Sequence, residues 1–463
     1  MPLRDSKSKG RLFLRVPSVR GVPRRGKKGS FAQKGVSSVK IAALVLFLVT
    51  YVLLLALPKF RAYIAAGVGF LFMCIGILPW GEFASAIDWN VLMIIAGTMG
   101  IVALFIESKM PALLADLLIA RMPNVKWAII ALSLFAGLVS AFVDNVATVL
   151  MVAPIALSLS KKLDISPVPG IIAIAVSSNL QGAATLVGDT TSIMLGSEVG
   201  MSFIDFFVMD GKMGMFWIVQ IAAIAATAYL LIVFRKDKQK IEYSERTEVK
   251  DFFPSVLLIV MLALLIGVSF IPEKPEVTPG IICVGLMVVG MIYTVIRRKD
   301  FSGVKNTLKE IDFKTLLLLA GIFLIIGGLD SVGLIDDIAD LLVKASGGNL
   351  FALYSLLVWA SVLVSAFIDN IPYVATMLPV ITGIASTMGI SPEQTMVLYL
   401  GLLSGATLGG NLTPIGASAN ITATGILRKA GHEVGTLRYM KISVPFTLIA
   451  VLVGYGLVWA VYA

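Results

Sequence analysis

Long apolar segments follow one another along the chain, separated by short polar loops. They fall near residues 40–57, 62–80, 89–106, 168–199 and 213–234, and again near 254–271, 279–297, 313–330, 394–427 and 442–462. Several reach the roughly 17–25 residues that a helix needs to cross a bilayer. The pattern predicts an all-α polytopic protein with ten spans, and so a multi-pass integral protein of the cell (inner) membrane.

Two further apolar runs, 127–161 and 351–386, are interrupted at their centres by Asp-Asn. Each arm has about 15 residues, which gives only about 22 Å of helix against about 30 Å of hydrocarbon. Each run is therefore predicted to be a re-entrant helical hairpin with Asp-Asn at its tip. A short amphipathic stretch precedes each hairpin, at 111–122 and 335–345.

The two hairpins belong to an internal repeat. Ser-Ala-Phe-Val-Asp-Asn at 140–145 returns as Ser-Ala-Phe-Ile-Asp-Asn at 365–370, and Pro154 and Pro379 follow at the same offset of 225 residues. Five spans per half is an odd number, so the second copy should be inserted upside down. We expect a basic disordered tail (1–39), a first repeat (40–234), a charged linker (235–253) and a second, inverted repeat (254–463).

Composition agrees with a membrane protein, since 58% of the residues are apolar and only 14% are charged. Much of the net charge of +10 comes from the first 40 residues, which hold 12 Lys and Arg and one acid. Such a segment buries too little apolar surface to fold, and anionic lipid headgroups are its expected contact rather than nucleic acid. With His432 as the single histidine and no nucleotide-binding or hydrolase motif, the sequence does not indicate an enzyme.

The basic residues of the loops predict the orientation. Taken alternately, one set of loops carries 22 Lys and Arg, and the opposite set carries only Lys212, Lys274 and Lys344. The positive-inside rule assigns the first set, which includes the linker, to the cytoplasm.

The tips and the segments after them resemble the ion transporter superfamily, which includes the arsenite permease ArsB, NhaD-type sodium/proton antiporters, the melanosomal P protein, citrate carriers and divalent-anion/sodium symporters. The second matching motif is Ala-Ala-Thr-Leu-Val-Gly-Asp-Thr-Thr-Ser-Ile at 183–193, paired with Asn-Leu-Thr-Pro-Ile-Gly-Ala-Ser-Ala-Asn-Ile at 411–421. Members often carry Gly-Asp-Pro-Pro-Asn in the first copy, whereas both prolines are absent here. The symporter branch carries Ser-Asn-Thr at its tips, whereas this chain has Asp-Asn-Val and Asp-Asn-Ile. The resemblance therefore favours the P protein, NhaD and ArsB side.

Glycines and hydroxyls inside a long apolar segment allow an unwound stretch whose polar groups ligate a cation or cradle a small oxyanion. We expect each ion pocket to combine a tip with the break of the same half. The candidates are Asp144, Asn145, Thr148, Thr185, Gly188, Asp189 and Ser192 in the first half, and Asp369, Asn370, Asn411, Thr413, Gly416 and Asn420 in the second. The tip residues Asp144, Asn145, Asp369 and Asn370 are the predicted ligands of a monovalent cation.

Each candidate also has a structural alternative. A tip Asp could only cap its helix, a tip Asn could only satisfy the turn, and the glycine-rich breaks could be helix-packing sites. Asp88 and Asp312 follow Ile and precede an aromatic residue in both halves, and we expect them to be N-caps rather than ligands.

The chemistry predicted for the site is competition between a proton and a cation. Asp144, Asp189 and Asp369 are expected at bilayer depth with no Lys, Arg or His placed to neutralise them, and burial then favours the protonated form. Sodium/proton antiport, with Asp144 and Asp369 as exchanging carboxylates, is the leading prediction. The alternative is a sodium- or proton-coupled carrier of small anions or oxyacids (citrate, dicarboxylate, arsenite), and a channel is the rival from another class. No cofactor is expected beyond Na⁺ or H⁺ as coupling ion, and a homodimer remains open.

Overall fold

The protein is almost entirely helical in a computed structural model that describes residues 33–241, 246–249, 251–299 and 301–463. The helices of the first half are α1 (Gln33–Ala56), α2 (Arg61–Cys74), α3 (Phe83–Ala86), α4 (Trp89–Glu107), α5 (Met110–Ile119), α6 (Val125–Ser140), α7 (Asn145–Lys162), α8 (Val168–Gln181), α9 (Thr190–Val199) and α10 (Met215–Val233). Those of the second half are α11 (Phe253–Ser269), α12 (Thr278–Arg298), α13 (Ser302–Glu310), α14 (Phe313–Ser331), α15 (Leu334–Ala345), α16 (Leu350–Ser365), α17 (Asn370–Met388), α18 (Pro392–Gly409), α19 (Ser418–Lys429) and α20 (Thr436–Tyr462). The strands β1 (Val208–Met209) and β2 (Lys212–Met213) form a small antiparallel ribbon in the loop before α10.

The prediction of an all-α, multi-pass membrane protein is confirmed. Each predicted span contains a helix, and eight helices of the described residues are long and apolar enough to cross a bilayer. The helix α2 is shorter than its predicted span, 62–80, because the chain turns at Gly76 (φ +75°) before Pro79. The helix α1 begins at Gln33, inside the predicted tail, and residues 1–32 lie outside the described residues.

Each Asp-Asn run folds as two helices joined by a tight turn. The first consists of α6 and α7 and the second of α16 and α17, and the shortest arms have 16 residues. Such an arm is about 24 Å long, which is less than the thickness of the hydrocarbon core. The amphipathic helices α5 and α15 precede the hairpins as expected. The depth of the tips in a bilayer and the inversion of the second half remain predictions.

The fourth segment of each half is a broken helix. The breaks lie between α8 and α9 (182–189) and between α18 and α19 (410–417). The glycine-rich stretch from Gly405 is helical up to Gly409, so the second break begins only at Gly410. A Cβ on Gly405 would lie 2.6 Å from the carbonyl oxygen of Val358. Close packing against α16 therefore explains this glycine.

The packing follows the repeat. The pair α2 and α14 corresponds to the pair α12 and α4, and α6 on α8 corresponds to α16 on α18. In the same way α7 packs on α19 and α17 on α9, while α10 packs on its own counterpart α20. The second arm of each hairpin therefore lies against the broken helix of the other half, which brings both tips and both breaks to the centre of the fold.

The linker packs beside the entrance of the first hairpin. The backbone N–H groups of Lys126 and Val125 donate to the carbonyls of Asp237 and Gln239 at 2.8 and 3.0 Å. The linker is therefore on the same face as the basic loop 107–126, as the charge count requires.

Labelling of single cysteines tests which face is cytoplasmic. In a background with Cys74 and Cys283 replaced, Lys238→Cys in the linker is expected to react with an impermeant thiol reagent only after lysis, because the loop set with 22 basic residues lies inside. Lys212→Cys, which is exposed in the opposite loop set, is the matched control and should react on intact cells. The reverse pattern would show that the orientation is wrong.

Candidate functional site

Both hairpin tips place a carboxylate at the N-terminus of a helix. Asp144 caps α7 and accepts hydrogen bonds from the backbone N–H groups of Val146 and Ala147 at 3.0 and 3.1 Å. Asp369 caps α17 and accepts from the N–H of Ile371 at 3.2 Å. A carboxylate at this position is stabilised by the helix dipole. The capping alternative is therefore correct as far as it goes, but at both tips the capping hydrogen bonds go to Oδ1 and not to Oδ2.

The break of each half is joined to the tip of the same half by an equivalent hydrogen bond. Thr185 donates its hydroxyl to the carbonyl of Ala141, and Thr413 donates to the carbonyl of Ala366. Both threonines are buried. Their hydroxyls hold the break against the turn of the hairpin rather than pointing into open space.

A second equivalent bond closes each break on itself. Ser192 donates to the carbonyl of Gly182 at 2.9 Å. Asn420 donates to the carbonyls of Gly410 and Thr413 at 2.9 and 3.0 Å. These side chains satisfy carbonyls that the interrupted helices leave without an intrahelical partner.

The glycines of the breaks allow this close approach. A Cβ on Gly188 would lie 2.8 Å from the carbonyl oxygen of Gly182. A Cβ on Gly416 would lie 2.6 Å from the carbonyl oxygen of Gly410 and 2.8 Å from that of Ala366. Any side chain at these two positions would push the break away from its tip.

Asp189 connects the two halves. It caps α9 by accepting from the N–H of Thr190 at 2.8 Å, and it accepts from the hydroxyl of Thr191 at 2.9 Å. The amide of Asn370, at the tip of the second hairpin, also donates to Asp189 at 3.1 Å. The carboxylate is buried, with 9% of its residue exposed.

Buried asparagines form a second connection between the halves. Asn145 donates to the side-chain oxygen of Asn179 at 3.1 Å, and Asn179 donates to the carbonyl of Thr407 at 2.8 Å. Asn411 donates in the opposite direction, to the carbonyl of Val176 at 2.9 Å. Sequence reasoning missed Asn179, although a Ser-Ser-Asn run inside an apolar segment was a usable signal.

One cavity of about 180 Å³ brings five of the predicted residues together. These are Asp144, Asn145, Asp189, Asp369 and Asn370. Glu310, Asp312 and Thr315 line the mouth of the cavity, where Glu310 and Asp312 are exposed. The sequence analysis predicts that Asp312 is an N-cap and therefore does not count it among the candidate ligands. It does cap α14, with Lys314 and Thr315 as its donors, and it also faces the cavity.

The other eight predicted residues do not line this cavity. They are Thr148, Thr185, Gly188, Ser192, Asn411, Thr413, Gly416 and Asn420. Most of them hold the breaks and tips in place. Three buried oxygens among them, Thr148 Oγ1, Asn411 Oδ1 and Asn420 Oδ1, have no hydrogen-bond partner within the described part of the chain.

The expectation that no basic side chain neutralises the three carboxylates is wrong for Asp369. Arg61, at the start of α2, donates from Nη1 to Asp369 Oδ2 at 2.6 Å. The sequence could not reveal this pair, because Arg61 lies more than 300 residues away from Asp369 along the chain. Asp144 and Asp189 have no ion pair with any side chain that the structure describes.

A second cavity, of about 530 Å³, is related to the first by the repeat. The first cavity is lined by α4 and the second by the equivalent positions of α14, at an offset of 224 residues. The residues of α4 are Met99, Val102, Ala103 and Ile106, and those of α14 are Phe323, Ile326, Gly327 and Asp330. Asp88 lines the second cavity as Asp312 lines the first. The second cavity reaches none of the three central carboxylates. The central site is therefore open through the first cavity, on the face predicted to be cytoplasmic.

Among the hairpins and the broken helices, four helices begin at the first cavity: α7, α9, α17 and α19. Three are capped by an aspartate. The fourth, α19, has Ala417 as its N-cap and no side-chain hydrogen bond there. Ala417 occupies the position that corresponds to Asp189 in the first half, at an offset of 228. One positive helix end therefore faces the cavity without an anionic cap.

The polar side chains that line the first cavity are carboxylates, amides and hydroxyls. Within the described residues, no group of three or more His, Cys, Asp or Glu is arranged to hold a metal ion. Carboxylate and amide oxygens are donors typical of hard cations. The same carboxylates can bind protons instead.

Comparisons with known proteins agree with this architecture. The family model CitMHS, described as citrate transporter, matches residues 45–399. An uncharacterised transporter of Mycobacterium tuberculosis is 30% identical over 383 residues, which cover 82% of this chain and 87% of the relative. The human P protein is 26% identical over 80% of this chain and 53% of its own length. Among solved structures, the YdaH transporter of Alcanivorax borkumensis superposes with a TM-score of 0.57 at 14% identity over 93% of this chain and 98% of its own.

Proposed function

This chain belongs to the CitMHS citrate transporter family and is a membrane transporter, and we propose that it is a secondary transporter that exchanges sodium ions for protons across the cell (inner) membrane. Asp144 is the proposed exchanging carboxylate, with Asn145 as a further ligand. Asp189 lines the same cavity and is the second carboxylate proposed to take up the ion or the proton. No cofactor takes part.

The charge of the first cavity carries this proposal. Five carboxylates line it, and no Lys, Arg or His does so among the described residues. A low-dielectric cavity lined by one sign of charge concentrates the opposite ion. Since Asp144 and Asp189 have no basic partner, a proton or a cation must neutralise them for the buried site to be stable.

Imposed gradients in proteoliposomes test the proposal. Addition of Na⁺ outside vesicles that hold an acidic interior should release protons and collapse the pH difference, because both ions occupy the same carboxylates in turn. K⁺ at the same concentration is the control for the membrane potential. A pH difference that is unchanged by Na⁺ but changes in either direction when citrate or another anion is added would contradict antiport and favour the second candidate.

The second candidate is a cation-coupled carrier of a small anion such as citrate, which the family description suggests. One observation of the site favours it. The N-terminus of α19 opens on the cavity with Ala417 as its cap, so a carboxylate of a bound anion could take the place that Asp189 takes in the first half.

Filling this position distinguishes the candidates. Ala417→Asp should supply the missing cap and its charge, so an anion carrier would lose anion-dependent transport. Ala417→Asn supplies a cap of similar strength without the charge and is the matched control, which should transport better than the Asp variant. If transport of every anion is absent in the unmodified protein while Na⁺ exchange survives Ala417→Asp, the anion candidate is excluded.

A further inference from the structure

Within the described residues, one arginine, Arg61, contacts a carboxylate of the central site. Arg61 donates to Asp369 at 2.6 Å, and the two side chains are 31% and 14% exposed. A hydrogen bond between two charged groups in a partly buried position is stronger than an ordinary one. The pair joins α2 to the tip of the second hairpin, two elements that are distant in the chain.

A second contact holds the same part of the hairpin. The hydroxyl of Tyr51, on α1, lies 2.8 Å from the carbonyl oxygen of Pro372 and 2.7 Å from Thr376 Oγ1. The helices α1 and α2 pack on each other and on α14. Together, Arg61 and Tyr51 fasten the first two turns of α17 to helices outside the hairpin.

The first hairpin lacks this arrangement. The described contacts of the Asp144 side chain are with backbone N–H groups of its own helix. The repeat relates Arg61 to an uncharged position. Gly321 on α14 lies against Ala65 on α2, and its equivalent Gly97 on α4 lies against Cys283 on α12, so Cys283 corresponds to Ala65. This correspondence puts Pro279 where the equivalent of Arg61 would be. The two tips therefore differ in charge although their sequences are nearly the same.

We propose that Arg61 is an internal competitor of the coupling cation at Asp369. Its guanidinium neutralises the carboxylate when the second tip is empty, and a cation that binds Asp369 must displace it. Displacement frees the tip of α17 from α2, so that ion binding is coupled to release of the hairpin. Asp144 has no such competitor and binds its ion directly. This inference rests on the proposed cation exchange and deepens it.

Competition makes a specific prediction about affinity. Arg61→Gln removes the competing charge but keeps a side chain that can donate a hydrogen bond, so the Na⁺ concentration for half-saturation should fall by about tenfold, the equivalent of one charge-assisted hydrogen bond. Arg61→Lys keeps the charge and should remain much closer to the unmodified protein. Affinity is measured twice, by the KM of Na⁺-driven transport in proteoliposomes and by the rise of the unfolding temperature with Na⁺ in detergent.

Tyr51→Phe is the matched control. It removes the other contact with α17 without changing any charge, so it should leave the KM for Na⁺ unchanged. If Tyr51→Phe lowers the KM as much as Arg61→Gln does, the effect comes from loosening the hairpin and the competition is refuted.

The remaining outcomes separate this inference from the proposed function. If the unmodified protein binds Na⁺ but Arg61→Gln changes only the unfolding temperature or the maximal rate, Arg61 is a structural anchor and the inference fails alone. If the unmodified protein shows neither Na⁺-driven exchange nor stabilisation by Na⁺, the proposed function fails and the inference falls with it.

Discussion

Asp144→Asn is expected to reduce sodium/proton exchange to the level of empty vesicles while the protein remains folded. The amide oxygen of Asn can still accept from Val146 and Ala147 at the start of α7. Asn and Asp are about equally good N-caps, so the free energy of unfolding should change by less than about 0.5 kcal/mol. What is lost is the charge that a proton and a cation compete for. Proteoliposome transport and thermal unfolding in detergent measure the two effects separately.

Asp88→Asn is the matched control for this result. Asp88 caps α4 by accepting from Val91 at 3.1 Å, and it lines the second cavity rather than the central site. The same chemical change there should leave exchange largely intact. Full pH-dependent exchange by Asp144→Asn would remove Asp144 from the proposed mechanism. Loss of exchange in both variants would mean that the effect is not specific to the central site.

The second large effect is expected at a glycine. Gly416→Ala places a Cβ within 3 Å of three carbonyl oxygens, those of Gly410, Ala366 and Ser365. Because all three belong to the backbone, the break must move away from the hairpin tip. The cost expected for overpacking is about 1–3 kcal/mol. Transport should fall further than stability suggests, since the displaced break carries the N-terminus of α19, which lines the cavity.

Gly425→Ala provides the comparison in α19, the helix that follows the break. No atom lies within 4 Å of the Cβ that this change would add, and alanine favours a helix over glycine by up to about 1 kcal/mol. Gly425→Ala should therefore be neutral or stabilising in thermal unfolding and should transport normally. A Gly416→Ala protein with the stability and transport of the Gly425→Ala protein would show that the break does not need glycine.

Much of the fold could be predicted from the sequence because membrane helices are specified locally. An apolar segment of sufficient length must form a helix in lipid, where each backbone polar group needs a partner within its own segment. The tips could be predicted for the related reason that Asp and Asn at the centre of an apolar run cannot face lipid. The repeat of 140–145 at 365–370 then identified Asp144, Asn145, Asp369 and Asn370, all of which line the cavity.

Roles within the candidate site depended on contacts that no local pattern contains. Thr185 and Thr413 were predicted as ligands because they lie in breaks that are rich in glycines and hydroxyls. In the structure, their hydroxyls donate to the carbonyls of the hairpin turns. Gly405 lies in a glycine-rich stretch, yet it continues α18, because a Cβ there would meet the backbone of α16. Asp312 was correctly predicted as an N-cap, yet its place at the mouth of the cavity could be recognised only in three dimensions.

The sequence by itself determined the membrane architecture, the repeat and the identity of the central carboxylates, because segment length, hydropathy and buried charge are properties of residues taken in order. Only the tertiary structure decided which carboxylate is neutralised and from which side the site is open. Arg61 and Asp369 are 308 positions apart, and their pairing results from the packing of α2 and α17 around α14. An ion pair depends on a distance of a few ångströms in space, and distance in space is set by helix packing rather than by position along the chain.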